Sequence, residues 1–400
     1  MSLIDTEKFN ISNKEVCKIV LELKKILLRE NFTQSNLSKK TGKQVVRYTH
    51  LFKNDKKIIQ TQLFNEDQNI LHLYNLFLLD ESVPVAKIKN LLGENLYSKM
   101  LNNKILHTKD NNQVGSNISI TPFSNQFFFN EGHREFESLH IHQVSRSQNY
   151  LFEVTNLLKE KLIANKNNKI LDLCSGSGAL GMSVSELNSK IYGADLNPRA
   201  VEFAKINALL NSRNANYIQG DSTNANLFKE KFNLLVANPP FHGLIKINSK
   251  DLSENRLIVH SGEYGDNVIN AILNNLDALL ESDGNAVIVA NWLLKNNKLS
   301  YPAIKKLTDN GTLILFHDPL VPAMSWEGIR TLYSFSMENF EKIPNGFFES
   351  LLNKAHFNQV CFGVLCWLKD KGPKGFHLIE NTVERDTSII SKWAKLKVNE

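Results

Sequence analysis

An asparagine, two prolines and an aromatic ring, Asn238-Pro239-Pro240-Phe241, follow the apolar run Phe232-Asn-Leu-Leu-Val-Ala237, which reads as a buried strand. The Asn238 side-chain oxygen and the Pro239 backbone carbonyl are two acceptors, and two acceptors can take both N–H bonds of an NH₂ group. An amide or aromatic-amine nitrogen is a poor nucleophile because its lone pair is delocalised. Holding both N–H bonds favours pyramidalisation and aims the lone pair. Phe241 offers a ring face on which a flat group stacks. Positioning of this kind lowers a barrier by up to roughly 7–11 kcal/mol. It requires neither a metal nor a covalent nucleophile. The plain alternative is that Asn-Pro-Pro only terminates the strand.

About sixty residues upstream lies Ile170-Leu-Asp-Leu-Cys-Ser-Gly-Ser-Gly178, an apolar strand that turns through glycines into a helix. Gly176 and Gly178 let the backbone approach a ligand closely. Asp172 and Cys174 lead into this turn. Asp195 ends the next strand, 23 residues after Asp172, and its carboxylate can accept both hydroxyls of a ribose. Leu196 follows it, and Asn197-Pro198 starts a helix. Asp221, with Ser222 beside it, follows the third strand and can accept from an adenine amino group. Each feature alone is a frequent accident. Three of them at the ends of three successive strands predict a cofactor site. The turn lacks the full G-x-G-x-x-G spacing, since Cys174 stands at the first glycine position, and Asn-Pro-Pro-Phe has no role in hydride transfer. Together the two elements predict methyl transfer from S-adenosylmethionine to a nitrogen.

Positioning these residues requires a parallel sheet. Strands are predicted at 169–173, 190–195, 215–219, 232–237, 285–291 and 312–317, with helices at 147–162, 179–187, 198–211, 265–281 and 300–309. A helix near 346–356 and a strand at 359–368 follow. Upstream, helical spacing covers 14–30, with short helices to about 77, then 84–93 and 95–102. Two strands, 104–107 and 116–121, flank an Asp110-Asn-Asn turn. Helix, helix, strand, strand is a winged-helix-like order. The predicted division is a mainly helical accessory domain, 1–130, and an α/β catalytic domain, 131–400.

The chain has 400 residues, 42% hydrophobic and 22% charged, which is a globular composition. Its net charge of +6 equals the excess in 31–60, where Lys39, Lys40, Lys43, Arg47, Lys53, Lys56 and Lys57 face one Asp55. That stretch is either a solvated helical face or a contact for nucleic acid. Four cysteines, Cys17, Cys174, Cys361 and Cys366, without a CxxC pair argue against a disulfide scaffold and for the cytoplasm. No signal-peptide pattern, membrane span or metal-ligand cluster is read.

Residues 168–292 resemble the class I S-adenosylmethionine-dependent methyltransferases. The likeness is to the branch with an Asn-Pro-Pro-aromatic motif that includes release-factor glutamine and ribosomal RNA methyltransferases. The resemblance implies a Rossmann-like, doubly wound sheet of seven strands whose last is antiparallel, a role for 359–368. It carries cofactor contacts onto Asp172, Gly176, Gly178, Asp195 and Asp221, and substrate contacts onto Asn238, Pro239 and Phe241. It departs from the family at Cys174, where glycine is usual, and at Phe241, where tyrosine is frequent; Phe241 lacks the hydroxyl but keeps the ring face.

Three readings of function follow. The first is an N-methyltransferase acting on a protein glutamine or an RNA base. The second is a methyltransferase, or other user of the same cofactor, acting on a small metabolite. The third is a non-catalytic RNA-binding module. His242 and His260 flank the long segment 242–262 as loop histidines, Asp266 is expected to N-cap a helix, and Trp292 either lines the pocket or packs.

Overall fold

The computed structural model describes residues 13–41, 60–64, 67–131, 146–158, 162, 168–241, 261–262, 264–317, 324–325 and 354–379. His242, His260, most of the expected helix at 346–356 and most of the basic stretch fall outside these residues. Contacts divide the chain into two units. The first holds 1–149, 175–187 and 197–219, and the second 150–174, 188–196 and 220–400.

The amino-terminal elements are α1 (Lys14–Arg29), α2 (Gln34–Thr41), α3 (Gln68–Leu78), β1 (Val83–Pro84), α4 (Val85–Leu92), α5 (Glu94–Asn102), β2 (Leu106–Asp110), β3 (Gln113–Ser116), β4 (Ile118–Phe123) and β5 (Gln126–Glu131). α1 buries Val16, Ile19, Val20, Leu23, Ile26 and Leu27 along one stripe, and Asn13 caps it by accepting from Glu15 N. Gly93, at φ 80°, separates α4 from α5. The expected strand at 116–121 is corrected. Its register breaks at Asn117, where Ser116 Oγ both donates to the Ile118 carbonyl and accepts the Ile118 N–H. β2 therefore pairs with β3, while β4 turns through Ser124 and Asn125, both left-handed, to pair with β5.

Helices and strands then alternate as α6 (Arg146–Leu157), β6 (Lys169–Leu173), α7 (Ala179–Val184), β7 (Lys190–Asp195), α8 (Pro198–Leu210), β8 (Ala215–Gln219), β9 (Phe232–Ala237), α9 (Asn267–Leu279), β10 (Leu280–Lys295), β11 (Lys298–Leu299), α10 (Ile304–Asp309), β12 (Gly311–His317), β13 (Met324–Ser325), β14 (Gln359–Lys369) and β15 (Gly375–Ile379). The expected strand at 285–291 is the middle of the much longer β10. In the second unit the sheet order is β15-β12-β14-β10-β9-β6-β7. β6 pairs in parallel with β7 and β9, and β9 with β10. β14 lies between β10 and β12 in the antiparallel orientation expected for 359–368, but it is not the last strand, because β15, which was not predicted, follows it and pairs in parallel with β12 at the sheet edge. The fold is mixed α/β with a mainly parallel central sheet. The order reverses at β6, whose neighbours lead in opposite directions, so a crevice is expected at the carboxyl ends of β6 and β9.

In the first unit, Asn207 on α8 and Asn211, the C-cap of that helix, bind an extended strand. Asn207 Oδ1 accepts from Phe129 N at 2.7 Å, and its Nδ2 donates to Phe129 O at 2.9 Å. Asn211 does the same with Phe127, at 3.1 and 2.8 Å. Four residues of helix rise about 6 Å and two residues of strand about 6.8 Å, so amides spaced i, i+4 match every second strand residue. Asn207 Nδ2 also donates to Ser177 O at 3.0 Å, within the glycine turn. No described helix is long and apolar enough to cross a membrane.

Candidate functional site

In the second unit, the predicted residues stand at the strand ends. Asp172 is buried within β6, Asp195 ends β7, and Asn238 directly follows β9. Gly220 N donates to the Asp195 carbonyl at 3.0 Å, and Cys174 N donates to Ser222 Oγ at 3.0 Å. These bonds bring the segment after β8 beside the ends of β6 and β7. Electrostatics shows the same convergence: burial, with Asp195, Asp172 and Asp221 nearby, pushes the Cys174 thiol up to about 12. Three carboxylates thus act on the Cys174 thiol. The neutral thiol is no nucleophile at physiological pH. Among the described residues no group of His, Cys, Asp and Glu suits a metal ion.

Asp221 uses Oδ1 locally, accepting from Thr223 N at 2.9 Å and Thr223 Oγ1 at 2.8 Å. That Asx turn orients the exposed carboxylate. Leu196 is 65% exposed, unusual for leucine directly after a strand, and offers an apolar surface beside Asp195.

The glycine turn proper belongs to the first unit. Along the chain the sign of φ alternates, since Cys174, Gly176 and Gly178 are left-handed at 54°, 52° and 75° while Ser175 and Ser177 are not. Alternation of this kind gathers successive N–H groups into a concavity that favours anionic or polar ligand atoms. A Cβ on Gly176 would meet nothing within 4 Å, so open space lies there. On Gly178 it would strike Met182 Cε at 2.7 Å and Tyr217 Cζ at 2.8 Å, so this glycine serves packing. Cys174 therefore adopts the glycine backbone without being glycine, at a cost of about 1–2 kcal/mol.

Asn238 is half-buried, and its Oδ1 is a buried oxygen with no hydrogen-bond partner. Such an atom loses hydration without replacement, which costs about 1–3 kcal/mol. Pro239 is buried, and Phe241 lies against Phe362 of β14 with ring centroids 6.0 Å apart and planes tilted by 53°. Within the second unit, carboxylates that accept from hydroxyl and amine donors and the orphaned acceptor of Asn238 suit the polar groups of S-adenosylmethionine.

Other expectations resolve differently. Trp292 is fully buried, donates Nε1–H to Gly363 O at 3.0 Å and stacks edge-on against Tyr301, so it packs. Asp266 occupies the N-cap position of α9 but makes no capping bond. Ser261 Oγ accepts from Val268 N instead, while Asp266 Oδ2 accepts from Asn270 Nδ2. One positioning residue escaped the sequence reading, Asn207, while Ser222, expected at the cofactor site, holds Cys174 N through its hydroxyl. Asn207 left one signal, a polar residue on the apolar face of α8.

The Methyltransferase small domain family matches residues 145–314. The release factor glutamine methyltransferase of Thermodesulfovibrio yellowstonii is 34% identical over 136 residues, 32% of this chain and 48% of that protein. That of Buchnera aphidicola is 39% identical over 101 residues, 24% of this chain and 36% of that protein. The 23S rRNA (uracil(747)-C(5))-methyltransferase of Pyrococcus horikoshii is 38% identical over 79 residues, 20% of this chain and 19% of that protein. The chain thus spans less than half the length of these relatives. A solved S-adenosylmethionine-dependent methyltransferase from Agrobacterium tumefaciens aligns with TM-score 0.36 at 12% identity, covering 64% of this chain and 71% of that one.

Proposed function

We propose that this chain, whose residues 145–314 match the Methyltransferase small domain family, is a class I S-adenosylmethionine-dependent methyltransferase that methylates an amide or amine nitrogen of a protein or RNA acceptor. The observation that carries the reading is the buried, unpartnered Asn238 Oδ1, three residues before Phe241, whose ring lies against Phe362. S-adenosylmethionine, when bound, supplies an electrophilic methyl group. Asp195 holds the ribose hydroxyls, Asp221 receives the adenine amino group, and Leu196 covers the base. In the second unit Asp172, Cys174 and Ser222 shape the remainder of the cofactor cradle, and Gly176 and Gly178 keep the cofactor role that their turn suggests in the sequence. Asn238 Oδ1 and the Pro239 carbonyl take the two N–H bonds of the acceptor, and Phe241 stacks on its plane. Loss of amide conjugation is thereby met by hydrogen bonds that strengthen as the nitrogen pyramidalises.

Residues 1–130 are proposed as an accessory domain. Its run α3, β1, α4, α5, β2, β3 supports a winged-helix-like module. Four free cysteines suit a reducing compartment such as the cytoplasm. The test is single-turnover transfer from tritiated S-adenosylmethionine into separate protein, RNA and metabolite fractions. Label in protein or RNA that depends on Asn238 supports the reading. Label confined to small metabolites would overturn the macromolecular acceptor, and Asn238-independent label would overturn the nitrogen.

A further inference from the structure

β10 outruns its neighbour. The parallel ladder with β9 ends at Ala237, opposite Ile288, but β10 continues to Lys295 paired with β14. This seven-residue extension, about 23 Å of strand, stands beyond the edge where Asn238 lies. From Gly284 to Leu294 every residue is buried except Asn291, which is half-buried. Access to this wall thus opens at one position, and that position is polar. Asparagine is depleted in strands, and the other asparagine of β10 shows what such a residue normally does there. Asn285 donates Nδ2 to Leu162 O at 3.2 Å and receives Lys371 Nζ at 3.4 Å. The Asn291 side chain has no hydrogen-bond partner among the described residues.

Register fixes where Asn291 looks. It stands directly opposite Phe362 in the antiparallel ladder, so the two share one face of the ribbon. Phe362 is the ring that meets Phe241. Counting onward from Ala237 and Ile288, Asn238 corresponds to Val289, two residues before Asn291 and on the same parity. Asn238, Phe241, Phe362 and Asn291 therefore border one space, with the two asparagines about 7 Å apart along the strand direction.

We propose that Asn291 is an acceptor-specificity residue: its amide hydrogen-bonds a second polar atom of the planar acceptor whose nitrogen is held by Asn238. The proposal rests on the nitrogen-acceptor reading and adds a second point of recognition. An amide both donates and accepts, so Asn291 selects for a polar edge and against a hydrocarbon one.

The test is binding to the protein saturated with S-adenosylhomocysteine, using acetamide, adenine, cytosine and guanine as probes observed by ligand NMR. At least one probe is expected to bind, and Asn291→Ala is expected to weaken it about three- to tenfold, the weight of one neutral hydrogen bond, with S-adenosylhomocysteine affinity unchanged. Asn291→Thr, a better strand former, guards against misfolding and is expected to lose affinity similarly. Equal probe affinity in the wild type and both variants, or no binding by any probe, would overturn the proposal. If Asn238→Ala loses the probe while both Asn291 variants keep it, the Asn291 role fails and the nitrogen reading stands. If all variants keep it, both fail.

Discussion

Two pairs of asparagines use the same side chain in opposite ways. In the first unit, Asn207 and Asn211 are fully engaged, each exchanging two hydrogen bonds with a β5 residue. In the second, Asn238 Oδ1 is buried and bonded to nothing, and Asn291 has no side-chain partner among the described residues. A buried amide is expensive to leave unsatisfied. The engaged pair converts that expense into architecture, fastening a hairpin to a helix. Asn238 leaves it standing, so a ligand that brings donors recovers it, while half-buried Asn291 keeps its amide open to a polar group. The engaged asparagines belong to the scaffold, and the unmet Asn238 acceptor is the one proposed to meet a ligand.

The sharpest way to break this contrast is Asn238→Ala. Cofactor affinity is expected to stay within about twofold, because the adenosine contacts are proposed on residues that follow earlier strands. Turnover is expected to fall by about a hundredfold or more, the scale of removing one transition-state hydrogen-bonding group. Asn238→Asp, which keeps an acceptor oxygen, should retain more turnover than Ala. Calorimetry for S-adenosylmethionine and single-turnover transfer separate the two effects. Full activity in Asn238→Ala would mean that the orphaned oxygen is a packing defect and not a poised acceptor.

The engaged pair predicts the converse. Asn207→Ala strips partners from both Phe129 backbone groups and from Ser177 O. At about 1–3 kcal/mol per buried group left unpaired, the loss is expected to reach about 2–4 kcal/mol of stability in urea unfolding. Asn238→Ala in the same experiment should leave stability unchanged or slightly raised. A change below about 0.5 kcal/mol for Asn207→Ala would show that water replaces the clamp.

Asp195→Ala comes next. Two ribose hydroxyls losing a charged acceptor should weaken S-adenosylmethionine by about 1.5–3 kcal/mol, or roughly ten- to 150-fold. Equal affinities by calorimetry would remove Asp195 from the site.

How much of this was legible beforehand follows the same division. β6 and β9 lie where apolar runs put them, because buried parallel strands carry continuous hydrophobic sequence, and β7 and β8 lie where the following turn residues bound them. The carboxylates and Asn238 were legible because strand ends are local in sequence. The hairpin of β4 and β5 was not, because one serine hydroxyl, Ser116, decides where the strand breaks. Nor was the reach of β10 beyond β9, which depends on a partner strand about seventy residues away. Asn291 acquires meaning only through that long-range register. Asp266 misled because an acidic residue at the N-cap position suggests a cap that Ser261 supplies instead.

The smallest expected effect tests whether Cys174 belongs with the scaffold or with the site. Its backbone is left-handed, at φ 54°, where a Cβ is strained by about 1–2 kcal/mol. Glycine relieves that strain but returns about 0.5–1 kcal/mol through greater freedom of the unfolded chain. Cys174→Gly is therefore expected to stabilise the protein by about 0.5–1 kcal/mol in urea unfolding at pH 7. Its N–H still reaches Ser222 Oγ, so S-adenosylmethionine affinity should stay within about twofold. The pH dependence sharpens the case. Burial, with Asp195, Asp172 and Asp221 nearby, pushes the folded thiol up to about 12, whereas an unfolded cysteine ionises near about 8.5. The folded state then holds a proton that the unfolded chain releases. This contribution to stability is fully present below about pH 8.5 and is lost as pH rises toward 12. Cys174→Gly removes the group, so stability measured from pH 7 to 10 should decline less steeply than in the wild type. A destabilised variant with an unchanged alkaline slope would show that the thiol fills needed volume and that its strained backbone is incidental.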